Sequence, residues 1–385
     1  MTNKIPFRLF ALIIFIAGTS FSLTGAVLPD MAERFGLTNA EASKLPLAYF
    51  TGDLCGLVFL GFALARPRLL LQTCLLILPA AALTVALYPG YSDLLLVPFF
   101  LLGGVAGIVI TLPSMIVSRM IRGDSARMMN LMFGFFSAGV MVAPVGFGGL
   151  RLLGVHYPAA FFVLAGLGTL AAVMVFVTPI PAPDLGQGLM PRAVAGLWRE
   201  NKGLLLGVSA MNLFYVGAEA VPNAWIPKYL HDTFPGGSEL RSVAVLSLFW
   251  AGVTAGRFIC AELIKRGVPP RGMLAALSGA AAVCLLAAPA VENRLAAEAL
   301  FAASGFFFSG MFPIIISYTD RLPESSAGTL FVVVMAAGML GASVVSRSVG
   351  LVAEALSFQW GMSIASGLSL LVLALIPVLG GRKAG

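Results

Sequence analysis

Residues 179–203 read PIPAPDLGQGLMPRAVAGLWRENKG, the longest stretch at which the apolar character of this 385-residue chain gives way. Pro179, Pro181 and Pro183 withhold backbone donors, while Asp184, Gln187, Arg199, Glu200 and Lys202 favour water. On either side the chain is a series of hydrophobic runs, each close to the ~20 residues that a helix needs to cross the hydrocarbon of a bilayer. Upstream they fall at roughly 7–30, 44–64, 69–89, 94–119, 128–150 and 158–179. Downstream they fall at roughly 204–227, 243–264, 271–291, 295–319, 326–350 and 358–380. The break therefore divides the chain into an N-terminal six-helix bundle at about 1–179, a cytoplasmic linker at about 180–203 and a C-terminal six-helix bundle at about 204–385.

Composition agrees with that reading. Hydrophobic residues make up 59% of the chain and charged ones only 11%, against about 25% charged in soluble domains. The 43 Gly and 23 Pro suit packed membrane helices. The expected class is an all-α integral membrane protein with the lipid bilayer as its surroundings. A net charge of +7 would point to nucleic acid in a soluble protein. Here the basic residues sit between apolar runs, so no nucleic-acid partner is expected. Cys55, Cys74, Cys260 and Cys284 lie singly inside apolar runs and read as small buried thiols. No glycine loop with lysine for a nucleotide is present, and no metal-ligand spacing, so an enzyme, a cofactor and ATP drive are not expected.

Basic residues also give the orientation. The first run follows Lys4 and Arg8 and reads as an uncleaved first helix, with eleven spans behind it. If the N-terminus is cytoplasmic, the inner segments gather Lys4, Arg8, Arg66, Arg68, Arg119, Arg122, Arg127, Arg192, Arg199, Lys202, Lys265 and Arg266. The outer segments hold far fewer. Both termini are thus expected in the cytoplasm, and the chain in the inner membrane.

The halves echo each other at an offset of about 200 residues. Phe15-Ile-Ala-Gly18 before Pro29 answers Phe214-Tyr-Val-Gly217 before Pro227, and Gly104 to Ser118 through Pro113 answers Gly305 to Ser317 through Pro313. Basic loops follow the second span of each half. Over its whole length the chain resembles the major facilitator family. Tyr215-Val-Gly-Ala-Glu219, Asn223-Ala-Trp225-Ile-Pro-Lys-Tyr229 and Arg127-Met-Met-Asn130-Leu-Met-Phe-Gly134 resemble its fucose:proton symporter branch. The family's loop after span 2 is altered: Gly61-Phe-Ala-Leu-Ala65-Arg66-Pro-Arg68 has Ala65 in the place of the usual aspartate. Gly139-Val-Met-Val-Ala143-Pro144 resembles in part the span-5 motif of drug/proton antiporters.

Polar side chains inside a membrane helix are costly unless they face protein, water or each other. Asn212, Tyr215, Glu219 and Asn223 recur every three or four residues and form one stripe on span 7, a candidate cavity wall. The resemblance places spans 1, 4, 7 and 10 around a central cavity. It thereby nominates Ser20 and Thr24, Thr111 and Ser114, and Ser309 beside that stripe, with Asn130 of span 5 and Trp225 completing the substrate-binding candidates. Trp225 has a competing reading as part of an interfacial aromatic belt. Glu219 and Asp53 are the candidates for proton coupling, because a carboxyl in a dehydrated cavity can trade a proton with solvent. Asp53 and Arg347, on spans that adjoin in the family, are the candidate outer gate. Arg257 lies near Glu262 and reads as paired within its own helix.

The expected function is secondary active transport of a small polar organic solute, sugar-like, by alternating access and with proton coupling, for which a monomer suffices. The alternatives are proton-driven efflux of amphipathic compounds and a non-transporting membrane receptor or assembly factor.

Overall fold

The structure is a computed structural model that describes residues 6–64, 66–120, 125–181, 191–234, 236, 238–318 and 327–377. Among these residues the chain is entirely helical, without a strand. Twelve helices are long and apolar enough to cross a membrane, and each coincides with one of the expected runs. They are span 1 (Phe7–Ala26), span 2 (Asn39–Ala63), span 3 (Pro67–Leu87), span 4 (Asp93–Val117), span 5 (Leu131–Leu152) and span 6 (Tyr157–Val177). Then follow span 7 (Lys202–Thr233), span 8 (Leu240–Lys265), span 9 (Pro270–Ala290), span 10 (Arg294–Ser317), span 11 (Leu330–Ala355) and span 12 (Phe358–Leu375). A helix satisfies its backbone polar groups internally, which lipid cannot do for it. Ala65 and the centre of the polar break, 182–190, lie outside the described residues.

Three boundaries depart from the hydropathy runs. Span 1 stops at Ala26, and a separate short helix, Leu28–Phe35, begins with Pro29 in its first turn and ends on Gly36 at φ +63°. Proline suits a helix start, and the left-handed cap needs glycine. The helix that contains span 7 begins at Pro191 and runs 43 residues to Thr233, so part of the polar break continues straight into the membrane helix. Span 10 is two helices, Arg294–Phe308 and Met311–Ser317, interrupted at Ser309 and Gly310.

The packing repeats as the sequence does. Spans 1 and 5, 2 and 4, and 3 and 6 are the major pairs of the first six; spans 7 and 11, 8 and 10, and 9 and 12 are their counterparts. Glycines set the close crossings. A Cβ on Gly18 would collide with the carbonyl of Phe136, and one on Gly341 with the carbonyl of Leu213, so these helices touch backbone to backbone. Between the two sets, span 2 packs on span 11 and span 5 on span 8, again related by the repeat.

The start of span 1 and the end of span 12 lie on one face, the terminal face, because the number of spans is even. The opposite, distal face is drawn together. Arg347 of span 11 donates to the carbonyl of Ala40 and to Ser43 Oγ (2.6 Å), and Glu354 accepts from the Ala40 amide at 2.8 Å. The receiving turn, Asn39–Ala42, is held by a capping box between Thr38 and Glu41. Gly25 at the end of span 1 lies against the backbone of Asn223. Toward the terminal face, spans 5 and 10 meet through the rings of Phe133 and Phe312, 6.0 Å apart.

The expected Asp53–Arg347 pair is not formed. Arg347 binds Ala40 and Ser43, whereas Asp53 lies ten residues further along span 2, about 15 Å deeper at 1.5 Å per residue. Cys55 also departs from expectation: it is exposed, while Cys74, Cys260 and Cys284 are buried.

Candidate functional site

A cavity of about 690 Å³, its mouth included, opens where the two sets of six spans meet. Spans 1, 2, 4, 5, 7, 8, 10 and 11 all contribute to its wall. Most of the wall is aromatic or aliphatic: Phe21, Leu57, Ile110, Phe133, Phe136, Val216, Trp250, Phe312, Met335 and Met339. Phe21 organises one end, with its ring 5.5 Å from Phe136 and 5.9 Å from Trp250 in edge-on geometry.

The polar part of the wall is small and charged. Span 7 contributes Tyr215 and Glu219, one turn apart. The Tyr215 hydroxyl donates to Glu219 Oε1 at 2.5 Å, and its ring packs against Phe308 and Phe312. Span 2 contributes Asp53, which is only 3% exposed and has no hydrogen-bond or ion-pair partner among the described residues. Its position depends on Gly107 of span 4, where a Cβ would run into the Asp53 carboxyl. Thr111, one turn on, also lines the cavity.

Span 8 contributes Arg257, whose Nη1 donates to Ser137 Oγ of span 5 at 2.8 Å. The pairing with Glu262 expected from the sequence is therefore not formed, and Glu262 is held instead by Arg266, at 2.9 Å. Five residues along a helix turn through about 500°, so positions 257 and 262 point about 140° apart and cannot share a face. Trp250 and Arg257, seven residues apart on one face of an apolar helix, were the available signal.

The structure brings Asp53, Thr111, Tyr215 and Glu219 to the cavity and leaves Asn212, Asn223, Trp225, Ser20, Thr24, Ser114 and Ser309 off its wall. Asn212 donates to the carbonyl of Val334 at 2.7 Å and belongs to the seam between spans 7 and 11. Asn223 forms the roof: it accepts from Trp250 Nε1 at 3.0 Å and its amide points to the Phe21 carbonyl at 3.5 Å. Trp225 is fully buried, donates to the Ser346 carbonyl at 3.2 Å and packs edge-on against Phe358. It therefore faces neither the cavity nor a membrane interface, which corrects both of its sequence readings. Ser20 and Thr24 are buried away from the wall, with Thr24 bonded to the Phe21 carbonyl. Ser114 closes back on Ile110, and Ser309 bonds to Phe306 at the break in span 10; neither lines the cavity. The side chain of Asn130 lies outside the described residues.

Twelve membrane-crossing helices in two related sets around a central cavity define a polytopic transporter fold. The model of the Major Facilitator Superfamily matches residues 10–346. The chain belongs to that superfamily, whose members and solved relatives here are transporters and not enzymes. Among relatives, Protein TsgA of Escherichia coli O6:K15:H31 (strain 536 / UPEC) is 24% identical over 375 residues, which is 95% of this chain and 92% of that one. Among solved structures, the D-xylose-proton symporter superposes with a TM-score of 0.79 at 12% identity, covering 98% of this chain and 99% of the other. FucP, a major facilitator transporter in the outward conformation, gives 0.69 at 18% identity and covers both chains fully (100% each). A bacterial homologue of the human lysosomal transporter Spinster, inward-facing and unoccupied, gives 0.77 at 14% identity over 98% of each chain.

Proposed function

We propose that this protein is a proton-coupled secondary transporter that moves a small organic solute with a largely apolar body by alternating access. The observation that carries the reading is the buried Tyr215–Glu219 pair, facing an aromatic cavity that lies under a closed distal face. In this reading the units are the six-span halves at about 1–179 and 204–385, and the 180–203 segment joins them in the cytoplasm. Both termini are cytoplasmic, the membrane is the inner one, and the present state faces inward.

Exchange of access requires the distal bonds to break and the terminal face to close. Distal opening separates Arg347 from Ala40 and Ser43, Glu354 from Ala40, and Asn223 from Phe21. Glu219 is the coupling group. An ionised carboxylate is costly to carry through a dehydrated, occluded state, and a neutral acid much less so. Proton loading therefore favours that passage, and Tyr215 holds the carboxyl in place in the meantime. Asp53, buried and unpartnered at the same cavity, is the second proton candidate.

A sugar is the second reading of the solute. FucP and the xylose symporter share this fold, and ring faces such as Trp250 and Phe21 suit the apolar faces of a pyranose. The cavity wall carries no side-chain amide among its lining residues, however, because Asn212 and Asn223 are spent on helix contacts. That favours a solute recognised mainly by its apolar body.

Counterflow in proteoliposomes tests transport against the receptor reading. Proteoliposomes of the purified protein, preloaded with aromatic acids, amines, neutral amphiphiles or sugars, exchange at least one class. Absence of flux for every class, in either direction and under any pH gradient, would defeat the proposal.

A further inference from the structure

Arg257 is a charge on the cavity wall of span 8 that makes no ion pair among the described residues. A guanidinium stays protonated in a protein and offers five donors in a planar fork. One of them is engaged, by the neutral hydroxyl of Ser137. Among the described residues no carboxylate lies within ion-pair distance of Arg257. Glu262 is bonded to Arg266, and the Glu219 carboxyl accepts from Tyr215. Asp53, across the cavity on span 2, makes no ion pair either. Arg257, Glu219 and Tyr215 nevertheless line the same cavity. Arg257 is half-buried, and a charge partly withdrawn from water within a membrane span is normally met by a polar or charged partner. Here the guanidinium-bearing side chain lines the cavity.

We propose that Arg257 anchors the anionic group of the solute, and that the transported compounds are organic acids whose carboxylate meets the guanidinium while an apolar or aromatic body fills the rest of the cavity. This rests on the reading of the cavity as the solute site and names its substrate class. The fork geometry of arginine matches a carboxylate in bidentate fashion. Phe21, Phe136, Phe312, Met335 and Met339 supply the complementary apolar wall. Trp250, two turns from Arg257 on the same helix face, is positioned to cover a ring attached to that carboxylate.

The alternative role for Arg257 is a strut between spans 8 and 5, and Ser137 separates the two. The experiment measures thermal stabilisation of the full-length purified protein, and counterflow in proteoliposomes, with matched probes. These are benzoate, 3-phenylpropionate and indole-3-acetate, each beside its primary amide, with L-fucose and phosphate as further arms. The wild type binds at least one acid about tenfold to a hundredfold more tightly than its amide, the range expected for charge-assisted hydrogen bonds. Arg257→Gln reduces that preference to within about twofold, and Arg257→Lys falls between, since it keeps charge but loses the fork. Ser137→Ala retains the preference.

The proposal is overturned if amides bind as well as acids, if no acid binds, or if Ser137→Ala abolishes the preference as completely as Arg257→Gln. Preferential binding of phosphate or L-fucose also overturns it. Failure of the cavity reading looks different: in that case Trp250→Ala and Phe136→Ala leave the affinity of every bound probe unchanged.

Discussion

Arg347→Gln should unlatch the distal face. In this structure Arg347 reaches across from span 11 to the Ala40 carbonyl and Ser43 Oγ at the start of span 2. Hydrogen bonds from a charged group contribute about 1.5–3 kcal/mol each where water is excluded. Arg347 is only half-buried, so solvent recovers part of that, and about 1.5–3 kcal/mol for the pair is the appropriate magnitude. The bonds exist only when the face is closed, so removing them favours opening by about 10- to 150-fold. A distal-open population of about 1% would rise to roughly 10–60%. The assay is electron–electron distance measurement between spin labels at Leu153 and Leu356. Both are exposed at the distal ends of spans 5 and 11, and the four native cysteines would be replaced first. A second, longer distance should gain weight in Arg347→Gln and not in Asp53→Asn, because Asp53 plays no part in this latch. An unchanged distance distribution in Arg347→Gln would refute the reasoning.

Two further outcomes follow from packing. Trp225→Ala removes a fully buried ring held by Ser346 and Phe358, and should cost about 3–5 kcal/mol of stability. Thermal denaturation should fall steeply while the affinity of the surviving folded protein stays the same; a selective drop in affinity would contradict the placement of Trp225. Gly341→Leu drives a side chain into the Leu213 backbone and should abolish folded protein, as judged by size-exclusion profile. A normal profile would show that spans 7 and 11 do not cross as closely as described.

The spans were legible because lipid imposes a length and a composition that few other environments do. All twelve runs became helices, and the echo between Phe15–Gly18 and Phe214–Gly217 became matching crossings of spans 1 with 5 and 7 with 11. The site was only half legible. Asn212, Tyr215, Glu219 and Asn223 do share a stripe, but a 43-residue helix meets different neighbours along its length. The lower end of the stripe abuts span 11 and the upper end meets spans 1 and 8, which leaves the two middle residues for the cavity. Trp225 lies off that stripe, about 120° around the helix from Glu219. Arg257 was missed for the opposite reason. Proximity in sequence to Glu262 suggested a pair, and only the packing of span 8 on span 5 shows which way the guanidinium points. Depth was the remaining difficulty: that spans 2 and 11 adjoin is a property of the fold, but which residue of span 2 stands level with Arg347 depends on where the helix begins.

The most direct test of the central claim is Glu219→Gln in proteoliposomes, using whichever probe the wild type exchanges. Glutamine keeps the shape of the neutral acid and the contact with Tyr215 but cannot take up or release a proton. If Glu219 couples proton to solute, counterflow of the solute persists while accumulation driven by an imposed pH gradient disappears. Full pH-driven accumulation in Glu219→Gln would contradict that role and move the coupling to Asp53.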